Sequence, residues 1–238
     1  MKVFIPAAGL GTRLKPLSDY HPKALVQYQG KPLIVYLLEK LESQGFCDLI
    51  INIHHFPDQM REFCTAYALA HPKMKIQLSD ESNCLLDTGG ALVHALPFFR
   101  EEKFILVHNV DIISDLSIKA LVSRFEPTQM DALLAVRERE TRRKLLFEPT
   151  MSCLCAWVDT QNGAYKGKKP ESTWNAYAFS GIHILKVDLI KEWQQFYGEE
   201  LPFSIIDAYL KSSSHRRIKA YLQQQGLWKD MGKVEMFT

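Results

Sequence analysis

The residues most suited to chemistry lie near the start of the chain, in Pro6-Ala7-Ala8-Gly9-Leu10-Gly11-Thr12-Arg13-Leu14, with Lys23 following in His21-Pro22-Lys23. Glycines let a backbone pass close to a ligand and turn its N–H groups toward an anion. Two cations, Arg13 and Lys23, converging on such a loop are what a triphosphate requires. The two common phosphate loops do not fit. A dinucleotide fingerprint needs glycine or alanine where Leu14 stands, and a P-loop closes on Gly-Lys-Ser/Thr, which is missing here. A plain strand-to-helix turn also uses a glycine pair, but it gives no reason for the two cations.

Two carboxylates attract notice next. Asp111 ends His108-Asn109-Val110-Asp111, and Asp230 sits in Trp228-Lys229-Asp230-Met231-Gly232. Magnesium takes hard oxygen ligands, usually one or two carboxylates plus phosphate oxygens. Their distance along the chain does not by itself bring the two together. Taken singly, a helix cap and a turn aspartate are the simpler readings.

The elements that must position these groups alternate in type. Unbroken apolar runs predict strands over residues 3–7, 49–53, 74–78, 104–107 and 131–136. Between them, helical spacing predicts helices over 32–43, 57–70, 91–96 and 116–125, the first with Pro32 in its opening turn and Gly45 after its end. Beyond residue 140 strands dominate, over 144–147, 154–158 and 176–185, and an exposed polar loop is expected over 159–173. Helices over 189–196 and 203–211 and a strand over 218–222 complete the chain. Apolar strands separated by helices indicate a mostly parallel sheet covered on both faces, so the class is α/β, a Rossmann-like three-layer domain with a mixed, mostly parallel central sheet. The glycine loop and Asp111 then both follow strands, at the carboxyl edge where open α/β folds bind ligands.

Composition excludes several classes. With 238 residues, 47% of them hydrophobic and 24% charged, the chain is neither disordered nor collagen-like. Its 29 basic and 27 acidic residues give a net charge of +2, which argues against a nucleic-acid coat or an electrostatic membrane binder. The five cysteines, Cys47, Cys64, Cys84, Cys153 and Cys155, form no Cys-x-x-Cys and read as buried thiols of a reducing compartment. The opening MKVFIPAAGLGTR is too short in apolar residues for a signal peptide, and no run approaches the ~18 that a spanning helix needs. A cytoplasmic location is expected. His54 and His55 read as strand-end contacts, and Trp157, Trp174 and Trp228 as core or pocket wall.

Taken in order, Gly9-x-Gly11-Thr12-Arg13, Pro22-Lys23, Asn109-x-Asp111 and Trp228-x-Asp230-x-Gly232 resemble the signature of the sugar-1-phosphate nucleotidyltransferases. The resemblance implies the nucleotide-diphospho-sugar transferase fold in one domain over 1–238, with a nucleotide-binding half over about 1–112 and a sugar-binding half over about 113–238. It implies a triphosphate held by Ala8, Gly9, Gly11, Thr12 and Arg13, Lys23 at the reacting centre, and Mg2+ held by Asp111 and Asp230. It further places Thr88, Gly89 and Gly90 near base and sugar, Gln77 on a pyrimidine, and Gly181, within Phe179-Ser180-Gly181-Ile182, in the sugar pocket. Two departures stand out. Val110 replaces the family's usual glycine, and a β-branched side chain there disfavours positive φ and crowds a close ligand. The family's Glu-Lys-Pro motif is missing, which makes Lys166, Lys168 and Lys169 candidates for its lysine. Arg142, Arg143 and Lys144 are candidates for meeting an acidic sugar substituent.

Segments 51–54, 86–90 and 179–183 are most similar to the N-acetylmuramate-1-phosphate uridylyltransferases, and from its length no second enzyme is expected in this chain. The implied reaction joins an NTP, UTP favoured, to a sugar 1-phosphate, with neither nucleic acid nor membrane as a partner and the oligomeric state open. Guanylyl or thymidylyl transfer to a hexose 1-phosphate, or cytidylyl transfer to phosphocholine, are the enzymatic alternatives. A catalytically silent nucleotide-sugar-binding protein is the alternative from another class.

Overall fold

The computed structural model describes residues 1–150, 152–198 and 202–237. In chain order the first half comprises β1 (Val3–Ile5), β2 (Gln27–Tyr28), β3 (Lys31–Pro32), α1 (Leu33–Ser43), β4 (Asp48–Ile53), α2 (Pro57–Ala70), β5 (Lys75–Asp80), α3 (Asp87–His94), β6 (Phe104–His108) and β7 (Ile112–Ser114). The second comprises α4 (Ile118–Arg124), β8 (Ala132–Arg137), β9 (Arg143–Phe147), β10 (Leu154–Asp159), β11 (Tyr165–Gly167), β12 (Asn175–Lys186), α5 (Val187–Tyr197), α6 (Ile205–Ser212), β13 (Ile218–Leu222) and β14 (Trp228–Asp230).

Ten of the strands form one mixed sheet whose spine runs β11-β10-β9-β12-β6-β1-β4-β5, with β8 added beside β12 and β13 beside β8. Its centre is parallel: β1 pairs with β4 and with β6, and β4 with β5. Strands β1, β4 and β6 are buried on both faces, which is why they read as unbroken apolar runs rather than alternating ones. Helix α1 turns Ile34, Leu37, Leu38 and Leu41 onto one face of the sheet, while Leu92 of α3, Trp193 of α5 and Tyr209 of α6 fill the other. Pro57 begins α2 at a position whose N–H needs no helical partner.

The chain passes from β1 outward to β4 and β5, then returns to the other side of β1 to make β6. That reversal creates a crevice at the carboxyl ends of β1 and β6, the place where open α/β sheets bind ligands. Strand β12 roofs it. Residues 182–186 pair with β6 up to its last residue, His108, and residues 175–177 run past that end to pair with β9. The β9–β10–β11 ribbon therefore stands over the crevice.

Several elements differ from expectation. Helix α3 begins at Asp87, so the Gly89-Gly90 pair lies inside it rather than before it. The polar stretch 159–173 is largely exposed, as expected, but contributes β11. Strands β7 and β14 were not predicted, because three residues carry too little pattern. Cys64 and Cys155 are buried, whereas Cys84 is exposed, since it lies in the turn between β5 and α3. Among the described residues no helix is long and apolar enough to cross a membrane.

Candidate functional site

The glycine loop leaves β1 into the crevice and is anchored by one buried side chain. Asn52, near the carboxyl end of apolar β4, accepts from the backbone N–H groups of Ala7 (2.6 Å) and Ala8 (3.2 Å). Its amide donates to Glu81 (2.8 Å), whose other oxygen accepts from the Leu86 N–H (3.4 Å). Burial pushes the Glu81 carboxyl up, and the Asn52 hydrogen bond opposes that shift. Asn52 and Glu81 thus tie the loop after β1 to the segment that enters α3. Further along, Gly11 adopts φ +64°, and a Cβ there would lie 3.1 Å from Ser18 Cβ, so the turn itself calls for glycine. The Ser18 hydroxyl donates to the Gly11 carbonyl (2.8 Å) and holds the loop closed. A Cβ on Gly9 would touch no protein atom, so that glycine faces the open side of the loop. Thr12 and Arg13 are exposed in the short 3-10 turn that follows, and Ala8 is buried.

The two distant aspartates meet through a ladder invisible in the sequence. Strand β14 pairs antiparallel with β7, which sets Asp230 opposite Ile112, and the Met231 N–H donates to the Asp111 carbonyl (2.8 Å). The Gly232 N–H donates to Asp230 Oδ1 (2.9 Å). A Cβ on Gly232 would stand 2.9 Å from Asp111 Oδ2, 2.9 Å from Asp230 Oδ1 and 3.1 Å from Arg13 Nη2. Both carboxylates and the loop arginine therefore surround one point that only glycine leaves clear. Lys23 closes the group with an ion pair to Asp111 Oδ2.

This donor set suits a hard divalent cation: two carboxylate oxygens converge on a cradle that a Cβ would fill, and phosphate oxygens or water complete the shell. Among the described residues no cluster of three or more His, Cys, Asp or Glu could hold a metal without such added ligands. Polar contacts beneath the cradle keep it rigid. Lys40 of α1 donates to the Ser114 carbonyl (2.8 Å) and hydroxyl (3.0 Å), pinning β7, and its burial lowers its pKa to about 8 against the raising effect of Asp115.

The remaining predicted residues divide. Gly181 belongs to this region: it has φ +75°, sits where the register of β12 shifts, and its carbonyl accepts from the Asn109 N–H (2.9 Å). A Cβ there would lie 2.9 Å from Asn109 Nδ2. Thr88, Gly89 and Gly90 are engaged elsewhere. The N–H groups of Gly89 and Gly90 donate to the Phe203 carbonyl (2.9 and 3.3 Å), and Thr88 Oγ1 accepts from Ile205 (3.0 Å). The Phe203 ring would lie 2.3 Å from a Cβ on Gly89, so packing against the entry to α6 explains that glycine.

Gln77 is not brought to the group. It is exposed on the outer strand β5, opposite Ile50 in register, and hydrogen-bonds Lys2 near the amino end of β1 (3.5 Å), whereas the loop leaves the carboxyl end. Val110 also departs from expectation. Its φ is not positive and its side chain is 3% exposed in the core beneath the crevice, so it does not crowd the ligand side. Lys166 is paired with Asp207 (2.7 Å), and Arg142 with Asp159 (2.6 Å). Neither faces the cradle as a free charge.

Comparisons with known proteins identify the family and the fold. The sequence profile of the nucleotidyl transferase family matches residues 2–147. The chain is 28% identical over 230 residues, 95% of its length and 89% of the relative's, to the N-acetylmuramate alpha-1-phosphate uridylyltransferase of Caulobacter vibrioides. It is 35% identical over 123 residues, 51% of its length and 33% of the relative's, to the mannose-1-phosphate guanyltransferase of Hypocrea jecorina. Among solved structures, HddC from Yersinia pseudotuberculosis complexed with GMP-PN superimposes with a TM-score of 0.73 at 25% identity, covering 99% of this chain and 96% of that one.

Proposed function

The chain belongs to the nucleotidyl transferase family, and from that premise we propose that it transfers a uridylyl group from UTP to a sugar 1-phosphate, giving a UDP-sugar and pyrophosphate. N-acetylmuramate 1-phosphate is the acceptor we favour, because the uridylyltransferase relative aligns over nearly the whole of both chains, whereas the guanyltransferase covers only half of this one. The observation that carries the reading is the convergence of Asp111, Asp230 and Arg13 on Gly232 at the mouth of the glycine loop.

In this account residues 1–112 bind the nucleotide, and residues 113–238 bind the acceptor and return Asp230 to the shared centre. The backbone of Ala8, Gly9, Gly11 and Thr12, stiffened by Asn52 and Ser18, cradles the triphosphate, and Gly9 lets it approach. Arg13 holds the departing pyrophosphate. Lys23 moves from Asp111 to the α-phosphate and offsets the charge that grows there during in-line displacement. The attacking group is already an anionic phosphate oxygen, so no side-chain base is required; the barrier is the repulsion between two polyanions and their alignment. Asp111 and Asp230 would hold Mg2+, which when bound supplies charge neutralisation between the two substrates. Gly181, against Asn109, shapes the acceptor side.

A matrix of four NTPs against sugar 1-phosphates, including N-acetylmuramate 1-phosphate, glucose 1-phosphate and mannose 1-phosphate, tests the reading by pyrophosphate release with magnesium. Release should be greatest with UTP and N-acetylmuramate 1-phosphate, and EDTA should abolish it. A clear preference for GTP with mannose 1-phosphate would overturn the substrate assignment, and no release with any pair would overturn the activity.

A further inference from the structure

The cations of the glycine loop account for one anion, the triphosphate. A second cationic group stands beside Asp230. Arg137 ends β8 and Arg139 lies two residues on; their guanidinium carbons sit 6.0 and 4.3 Å from the centroid of the Trp228 ring. Trp228 and Asp230 are two positions apart on β14, so their side chains project to the same face. Arg139 stacked on that indole is therefore beside the Asp230 carboxylate, which opposes the lowering of its pKa by burial.

The cluster is held in place by contacts that leave its donors unspent. The Trp228 indole N–H donates to the Ser180 carbonyl (3.0 Å), next to Gly181. Arg137 is tied through Nη2 to the Gly226 carbonyl (3.0 Å). Arg137 Nη1 and Arg139 Nε are both buried with no hydrogen-bond partner among the described residues. Leaving a buried charged donor unpaired is costly, and a guanidinium held over an aromatic ring keeps its charge and its planar fork of N–H donors in one place. That fork matches the paired oxygens of a phosphate monoester. The neighbouring Lys229 does not compete, because its ammonium group reaches the Tyr28 hydroxyl (3.4 Å).

We propose that Arg139, stacked on Trp228 beside Asp230, binds the phosphate group of the acceptor, with Arg137 as the second charge behind it. The assignment rests on the nucleotidyl-transfer reading above and adds a residue to it. Arg139 fixes the nucleophile beside Asp230, so the two polyanions are gripped by separate cations.

Titration calorimetry on the full chain tests this, with magnesium present and a non-hydrolysable UTP analogue as the first ligand. N-acetylmuramate 1-phosphate, or glucose 1-phosphate or mannose 1-phosphate if the first does not bind, is the second. Arg139→Gln should weaken binding of the sugar phosphate by about tenfold or more and leave the UTP analogue within about twofold. Arg139→Lys, which keeps the charge without the fork, should fall between them, and in turnover both variants should raise KM for the acceptor more than they lower kcat. If the wild type binds a sugar phosphate and Arg139→Gln binds it equally well, the inference is overturned. If Arg139→Gln weakens both ligands alike, Arg139 merely supports the fold and the inference is again overturned. A wild type that binds none of the three sugar phosphates overturns the acceptor class proposed above, and the Arg139 assignment with it.

Discussion

Lys23 and Asp111 form an ion pair in which the side chains are only 16% and 9% exposed, so solvent screens it little. Yet the proposed function gives each a different partner, magnesium for Asp111 and the α-phosphate for Lys23. The pair is then a competitor that a divalent cation must displace. A hydrogen bond between charged groups contributes about 1.5–3 kcal/mol, so Lys23→Met should tighten binding of Mg2+ to the nucleotide-free protein by roughly 10- to 150-fold. Calorimetric titration of MgCl2 into wild type and Lys23→Met, with a melting curve to show that both are folded, measures the difference. The same variant should lose turnover by about 100-fold or more, as removal of a group that stabilises transition-state charge does. Tighter metal binding joined to slower catalysis is the expected signature. If Lys23→Met binds magnesium no more tightly than the wild type, Asp111 is not a metal ligand and the reasoning fails.

Gly232→Ala would place a methyl carbon 2.9 Å from both Asp111 Oδ2 and Asp230 Oδ1; kcat should fall at least tenfold with little change in Tm, and near-normal kcat would move the cradle elsewhere. Gly89→Ala meets the Phe203 ring at 2.3 Å, so overpacking should cost about 1–3 kcal/mol in chemical denaturation, with KM for UTP unchanged if that glycine serves packing rather than the base. His108 and His183 are fully buried and their pKa values are lowered to about 3, in each case first by burial. Below the unfolded value near 6.5 only the unfolded chain takes up their protons. Their contribution is therefore intact above pH 6.5 and is lost as pH falls toward 3, at about 1.4 kcal/mol per pH unit for each histidine. Urea unfolding between pH 7 and 4 should show a shallower acid loss for His183→Phe than for the wild type, and parallel curves would contradict the burial argument.

What was legible in the sequence, and what was not, follows from range. Strands β1, β4 and β6 announced themselves because burial on both faces leaves an unbroken apolar run, and the loop between Gly9 and Lys23 announced itself by local spacing. Asp111 and Asp230 were visible as residues, but their meeting depends on the short pairing of β7 with β14, which no periodicity encodes. Asn52 was overlooked although a signal existed: it is a lone amide inside an otherwise apolar strand run, and such a residue must find buried partners. Thr88, Gly89 and Gly90 were visible too, but a glycine in sequence does not say what approaches it, and here Phe203 does. Arg139 was hidden because one arginine within the charged run Arg137-Glu138-Arg139-Glu140 gains meaning only from the indole it lies on.

The central claim is that the residues around Gly232 pass a nucleotidyl group to a sugar phosphate. Its most direct measurement is pyrophosphate release from UTP by the purified full chain with magnesium, with and without N-acetylmuramate 1-phosphate, alongside Asp111→Asn. The account predicts release that requires the sugar phosphate, matches UDP-sugar formed mole for mole, and falls by orders of magnitude in Asp111→Asn while the melting curve stays close to that of the wild type. Release that proceeds equally without any sugar phosphate, or an Asp111→Asn protein as active as the wild type, would contradict it.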